Sequence, residues 1–266
     1  MSTAGPAPGP PAGPTSTTPR SRPVTSAWIA ALLLGGVVLV GSSVQRMSGI
    51  GFGLVSVPAL VLLLGPGEGV TLANCAAGVI SAVGLASHWR QVRLRAMVPL
   101  VCASACTVPL GALIAGLLPE PVLLTGMGAL VSVAVLLVMR GARVASLRGT
   151  GGAVAAGAAS GFMNSSAGVG GPALSLYAVN AEWTARQFTS NALFYGLVVN
   201  VFSVAAKGVP QLTAPSWLLT AAGIAGGAVA GRALAARISE RRARLVVLLL
   251  ALGGGVTTMA KGLVGL

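Results

Sequence analysis

The 266-residue sequence has no aspartate, four glutamates and one histidine. Glu68, Glu120, Glu182 and Glu240 all fall in corners or loops of the hydropathy pattern. No carboxylate is placed inside an apolar segment to bind Na⁺ or relay a proton, which weighs against a cation carrier and leaves only backbone carbonyls for a coupling ion. An intramembrane hydrolase would need a nucleophile served by a general base. His88, beside Trp89 at a helix end, reads as an interfacial residue, and nothing supplies a base to Ser165 or Ser166, so the sequence reads as a non-enzyme. Cysteine is scarce too. Cys102 and Cys106 share a helix face, but no His or acid joins them, so with Cys75 they read as packing residues and no metal or cofactor is expected.

Charge of either sign is scarce, at 8% of residues, where a soluble domain carries about a quarter. With 55% hydrophobic residues and a mean hydropathy of +0.88, the chain reads as an integral membrane protein. Its apolar stretches of roughly 17–25 residues imply helical spans rather than barrel strands. The net charge of +13 comes from basic residues dispersed among short loops, with no basic stripe interleaved with aromatics. That excludes a nucleic-acid surface and fits the positive-inside rule.

The reading along the chain is all-α and polytopic. Residues 1–26, rich in Pro, Gly, Ser and Thr, form a disordered tail; 27–139 are a first transmembrane repeat; 140–149 a basic cytoplasmic linker; 150–266 a second repeat. The apolar run 28–44 follows Arg20 and Arg22 like a signal-peptide core but is kept as a helix, for want of a convincing cleavage site. Further spans are expected over about 70–87, 96–118, 122–139, 187–206, 215–236 and 245–262.

Two stretches interrupt this pattern. Residues 160–177 place Asn164, Ser165, Ser166, Gly168, Gly170, Gly171 and Pro172 inside an apolar segment, with the helix expected to break over 164–172. Residues 48–60 are a weaker echo, with Gly49, Gly51, Gly53 and Pro58. Laid over each other, the halves bring Gly49, Gly51 and Asn74 near Gly168, Gly170 and Asn191. Each half becomes a glycine-broken helical hairpin plus three spans, the second inverted relative to the first. If neither hairpin makes a net crossing, Arg46 and the clusters at 90–95, 140–148, Arg186 and 232–244 share one side, the cytoplasmic one. Arg20, Arg22, Lys207 and Lys261 lie opposite.

A helix broken in a bilayer frees backbone groups, and the free N–H groups at the start of the second half-helix favour an anion. The glycines permit close approach to the backbone, Pro172 suits a first helical turn, and Asn164, Ser165 and Ser166 add neutral donors. Small residues in membrane helices also serve packing, as expected of 151–161. Asn74 and Asn191 read either as symmetric polar ligands or as caps and interhelical bonds.

At Gly49-Ile-Gly-Phe-Gly53 with Pro58, and at Gly161 with Ala167-Gly-Val-Gly-Gly-Pro172-Ala-Leu-Ser-Leu-Tyr177, the chain resembles the sulfite exporter TauE/SafE family, over about residues 28–262. Members typically show Gly-x-Gly-Gly-Gly in the first half; here Phe52 replaces a glycine. The resemblance implies outward transport of sulfite, sulfonates or related small organic anions by alternating access in the cell membrane, with lipid and a small anion as partners. A homo-oligomer, an uptake carrier or channel for another anion, and a non-transporting scaffold stay open.

Overall fold

The computed structural model describes residues 24–140, 148–235 and 240–266. The tail expected over 1–26 lies outside the described residues as far as 23, and so do 141–147 of the linker. Among the described residues there are ten α-helices and no strand. In order they are α1 (Val24–Ser48), α2 (Phe52–Leu64), α3 (Pro66–Leu85), α4 (Leu94–Leu117), α5 (Glu120–Met139), α6 (Gly149–Ala167), α7 (Gly171–Asn180), α8 (Ala185–Lys207), α9 (Ala214–Ala235) and α10 (Glu240–Val264). Six, namely α1, α3, α4, α5, α8 and α9, are long and apolar enough to cross a membrane. At 1.5 Å per residue, α2 and α7 reach only about 20 and 15 Å, short of a hydrocarbon core of about 30 Å.

Glycine sets both where helices stop and how closely they cross. Gly65, at φ +85°, makes the corner between α2 and α3, and Pro66 starts α3 where a missing N–H costs nothing. Three extensive helix contacts, α1 with α9, α4 with α6 and α5 with α10, each rest on small residues. On α9, Gly223, Gly227 and Gly231 lie against Gly35, Leu39, Ser42 and Ser43 of α1. On α6, Gly157 and Gly161 lie against Leu100, Ser104 and Thr107 of α4. Gly128 of α5 and Gly255 of α10 face each other similarly. Lipid gives apolar side chains no reason to leave it, so close backbone approach at such positions holds the bundle together. Large apolar side chains elsewhere on α4 and α9, such as Leu117, Leu218 and Val229, point outward.

α3 and α8 cross antiparallel at the centre. Gly78 faces Asn200, Ser81 faces Gly196 and Gly84 faces Leu193, a single continuous register. The helix pairings repeat when α1–α5 is exchanged for α6–α10: α1 on α9 becomes α6 on α4, α1 on α2 becomes α6 on α7, and α2 on α10 becomes α7 on α5.

Hydrogen bonds gather the loops. Arg148 approaches Glu182 at 3.9 Å, Arg186 Nε donates to Gln91 Oε1 at 2.9 Å, and Arg93 N donates to Asn191 Oδ1 at 2.9 Å. These basic segments therefore share one face. At the other end, Gln211 N donates to Glu68 Oε2 at 2.8 Å, joining the α2–α3 corner to the α8–α9 loop. Loop residues Arg143 and Arg237 lie outside the described residues.

The α4–α6 crossing can be tested directly. A Cβ on Gly157 would lie 2.8 Å from the Cα of Leu100, whereas one on Gly151 meets open space. Gly157→Val should destabilise the protein by about 1–3 kcal/mol, read as an earlier unfolding midpoint by tryptophan fluorescence in detergent. Gly151→Ala should leave the midpoint within about a degree of the parent or slightly above it.

Candidate functional site

Both interruptions exist and they meet. α1 ends at Ser48, where Gly49 at φ +79° donates its N–H to Gln45 O at 2.8 Å. α6 ends at Ala167, where Gly168 at φ +67° donates to Asn164 O at 2.9 Å. Glycine tolerates this left-handed turn without a Cβ penalty. The chain then re-enters a helix at Phe52 and at Gly171. A Cβ on Gly53 would collide with the carbonyl oxygen of Gly168, and one on Gly168 would lie 2.7 Å from Val57. The two breaks are thus pressed together.

Between them lies a cavity of about 60 Å³, bounded by Gly49, Gly51 and Gly53 from the first break and Asn164, Gly168, Gly170 and Gly171 from the second. Among the described residues no charged side chain lines it. The N-termini of α2 and α7 both border it, and neither has a side-chain cap, so the uncapped amides and aligned peptide dipoles supply the positive potential.

Three amide side chains, Gln45, Asn164 and Asn200, complete the lining. Gln45 Nε2 donates to Ser81 Oγ at 2.9 Å and to Ala77 O at 3.3 Å. Asn164 Nδ2 donates to Asn200 Oδ1 at 3.1 Å and to Ser203 Oγ at 2.9 Å. Asn164 stands 119 residues after Gln45, Asn200 the same distance after Ser81, and Gly168 the same after Gly49. Each break is therefore preceded one turn earlier by an amide tied to the central helix of its own half. Ser160 Oγ donates to Gly170 O at 2.8 Å and fixes the second break. The lining offers hydroxyls and amides, and among the described residues it includes no carboxylate, imidazole or amine.

The remaining candidates from the sequence sit around this cavity rather than in its wall. Ser165 and Ser166 are helical, in the last turn of α6, with hydroxyls donating back to Gly161 O and Phe162 O. The second break is accordingly narrower than the expected 164–172 and spans 168–170, because intrahelical bonds satisfy these serines. Asn74 reaches Asn164 at 3.5 Å, on the far side of the amide cluster. Pro172 is buried in the first turn of α7. Pro58 is buried inside α2 and packs on Gly254 of α10. Asn191 supports the start of α4, accepting from Arg93 N, while its buried Nδ2 has no partner among the described residues. Its placement differs from that of Asn74, and the position displaced by 119 from Asn74 is Leu193.

The sequence reading missed Gln45, Ser81, Ser160 and Lys207. A signal for Gln45 was present, since Gln-x-x-x-Gly-x-Gly at residues 45–51 repeats as Asn-x-x-x-Gly-x-Gly at 164–170. Lys207, at the end of α8, donates from Nζ to Ser165 O at 2.9 Å, which puts an amine beside the last turn of α6. Such a contact spans 42 residues and has no local signature.

No curated protein and no solved structure matches this chain. A family model does: that of Sulfite exporter TauE/SafE, over residues 32–258. A multi-pass helical protein matched along most of its length in this way belongs to the sulfite exporter TauE/SafE family, a family of membrane transporters.

Proposed function

We propose that the chain exports small sulfur-containing or organic anions, such as sulfite and sulfonates, by alternating access around the two breaks. The observation that carries this reading is the cavity where two uncapped helix N-termini and the Gln45 and Asn164 amides converge without a fixed charge. An oxyanion there exchanges water for amide N–H and dipole contacts, and the absence of a permanent cation keeps it from being trapped. The breaks provide the moving parts, since neither α2 nor α7 spans the bilayer alone.

Inverted halves are supported by the exchange of helix pairings and by the common displacement of 119 residues in the amide pairs and break glycines. They are also supported by direction. The first hairpin has Arg46 near its tip on the basic face, beside His88 and Arg232. The second starts at Arg148 and ends beside Glu182 on that same face, so its tip points the other way, toward Lys207. In this reading the basic face is cytoplasmic and the membrane is the cell membrane. In this reading Gly49, Gly51, Gly53, Asn164, Gly168, Gly170 and Gly171 form the wall, whereas Pro58 packs on α10 and Asn191 supports the start of α4.

Purified protein in liposomes, assayed with sulfite, sulfate, methanesulfonate and acetate with and without a proton gradient, tests the reading. Movement of sulfite or methanesulfonate above protein-free vesicles supports it, and no movement of any of the four overturns it. A Cβ on Gly170 would lie 2.8 Å from Ser160 O, inside the lining. Gly170→Val should abolish flux while membrane insertion and size-exclusion elution stay unchanged; normal flux would sink the site assignment. Asn164→Asp should lower methanesulfonate flux at least about tenfold where the new carboxylate is ionised. The loss should fade at low pH as that group takes up a proton, whereas Asn164→Gln should show no such pH dependence.

A further inference from the structure

A second, wider cavity of about 300 Å³ opens on the basic face. It is bordered by Arg46 of α1, Arg232 of α9, His88 after α3 and Thr189 of α8, and it shares Gln45 and Gly49 with the cavity between the breaks. The two spaces are therefore neighbours across a wall made by those two residues. One is charged and roomy, the other neutral and tight.

The arginines are set side by side by the helix contact already described. A Cβ on Gly231, the residue before Arg232, would lie 2.9 Å from the Cβ of Arg46, so the two side chains spring from the same crossing. Among the described side chains the one ion pair is Arg148 with Glu182, and no described carboxylate pairs with Arg46 or Arg232. Two cations rooted together repel each other, and an anion between them removes that repulsion and adds charge-assisted hydrogen bonds. His88 Nδ1 lies 2.9 Å from Gly84 O, and since a carbonyl can only accept, Nδ1 carries the hydrogen. Arg46 is partly buried, so its charge is screened less than that of a free surface arginine.

We propose that this cavity is an anion-capture site, in which Arg46 and Arg232 hold a small hydrated oxyanion before it passes Gln45 into the neutral cavity. Charge does its work where water is still present, concentrating the anion and aiming it. The inner cavity then needs only enough affinity to replace the remaining hydration. The passage past Gln45 rests on the anion-carrier reading; capture does not.

Capture is tested without transport. Thr189→Cys, in a chain whose Cys75, Cys102 and Cys106 are serine, places one thiol at the rim. Its reaction rates with 2-sulfonatoethyl and 2-trimethylammonioethyl methanethiosulfonate, each normalised to a free thiol, are compared in a neutral detergent. The anionic reagent should be favoured about tenfold, and the preference should vanish in Arg46→Gln/Arg232→Gln. Arg232→Gln alone, at an exposed position, should reduce it and guards against misfolding of the double variant. An equal ratio with and without the arginines overturns the proposal. In liposomes the double variant should raise the KM for sulfite about tenfold with the maximal rate retained. Wild-type vesicles that pass none of the four anions would sink the carrier reading alone, with the thiol ratio still deciding capture.

Discussion

A helix that stops inside a bilayer leaves amide and carbonyl groups that lipid cannot satisfy. In this protein two such ends are pushed against each other, the carbonyl of Gly168 resting where any side chain on Gly53 would have to be. That single contact fixes much else. It demands glycine on both partners, places the starts of α2 and α7 around one space, and depends on the flanking helices to hold the two ends in contact. The glycine-lined crossings of α1 with α9 and α4 with α6 do this from outside, while α3 and α8 close the space from within.

Polarity follows the same plan. Serines, threonines, asparagines, Gln45 and the phenols of Tyr177 and Tyr195 are the polar side chains buried among the described residues, and no carboxylate or guanidinium is buried with them. Most hydroxyls in the spans return their hydrogen to a carbonyl one turn back, as Ser43, Thr71, Ser132 and Ser203 do, which removes them from any contest for a ligand. The amides of Gln45 and Asn164 and the hydroxyl of Ser160 bond beyond their own helix instead, and all three are found at the cavity.

The membrane class, the six long apolar helices and the two places where helices stop were legible because glycine and proline clusters stand out against long apolar runs, whereas the span expected over 245–262 lies in α10, which is not one of the six. The gathering of Arg46, Arg93, Arg148 and Arg186 on one face was legible for a similar reason, since loop charge follows crossing parity. Less legible was where each break begins. Asn164, Ser165 and Ser166 read as helix-breaking polar residues, yet in a helix their side chains can bond within their own segment or to a neighbour, and the helix survives to Ala167. Pairing Asn74 with Asn191 followed residue type, whereas the structure pairs positions by distance along the chain and matches Ser81 to Asn200. Lys207 escaped because a contact 42 residues away depends on how α8 lies on α6. In the proposed mechanism these differences move the weight of recognition from the serine hydroxyls to the amides and the backbone.

The matched pairs Gln45–Ser81 and Asn164–Asn200 occupy equivalent stations but are chemically unequal. In a carrier of this design the state that exposes one hairpin and the state that exposes the other would differ in free energy, so the empty protein would rest facing one way. Detailed balance forbids that preference from choosing the direction of net flow. It governs how quickly an unloaded molecule returns and how steeply the rate rises with anion on each side. In such a carrier the direction of travel would be left to the gradients of the anion and of any ion moved with it.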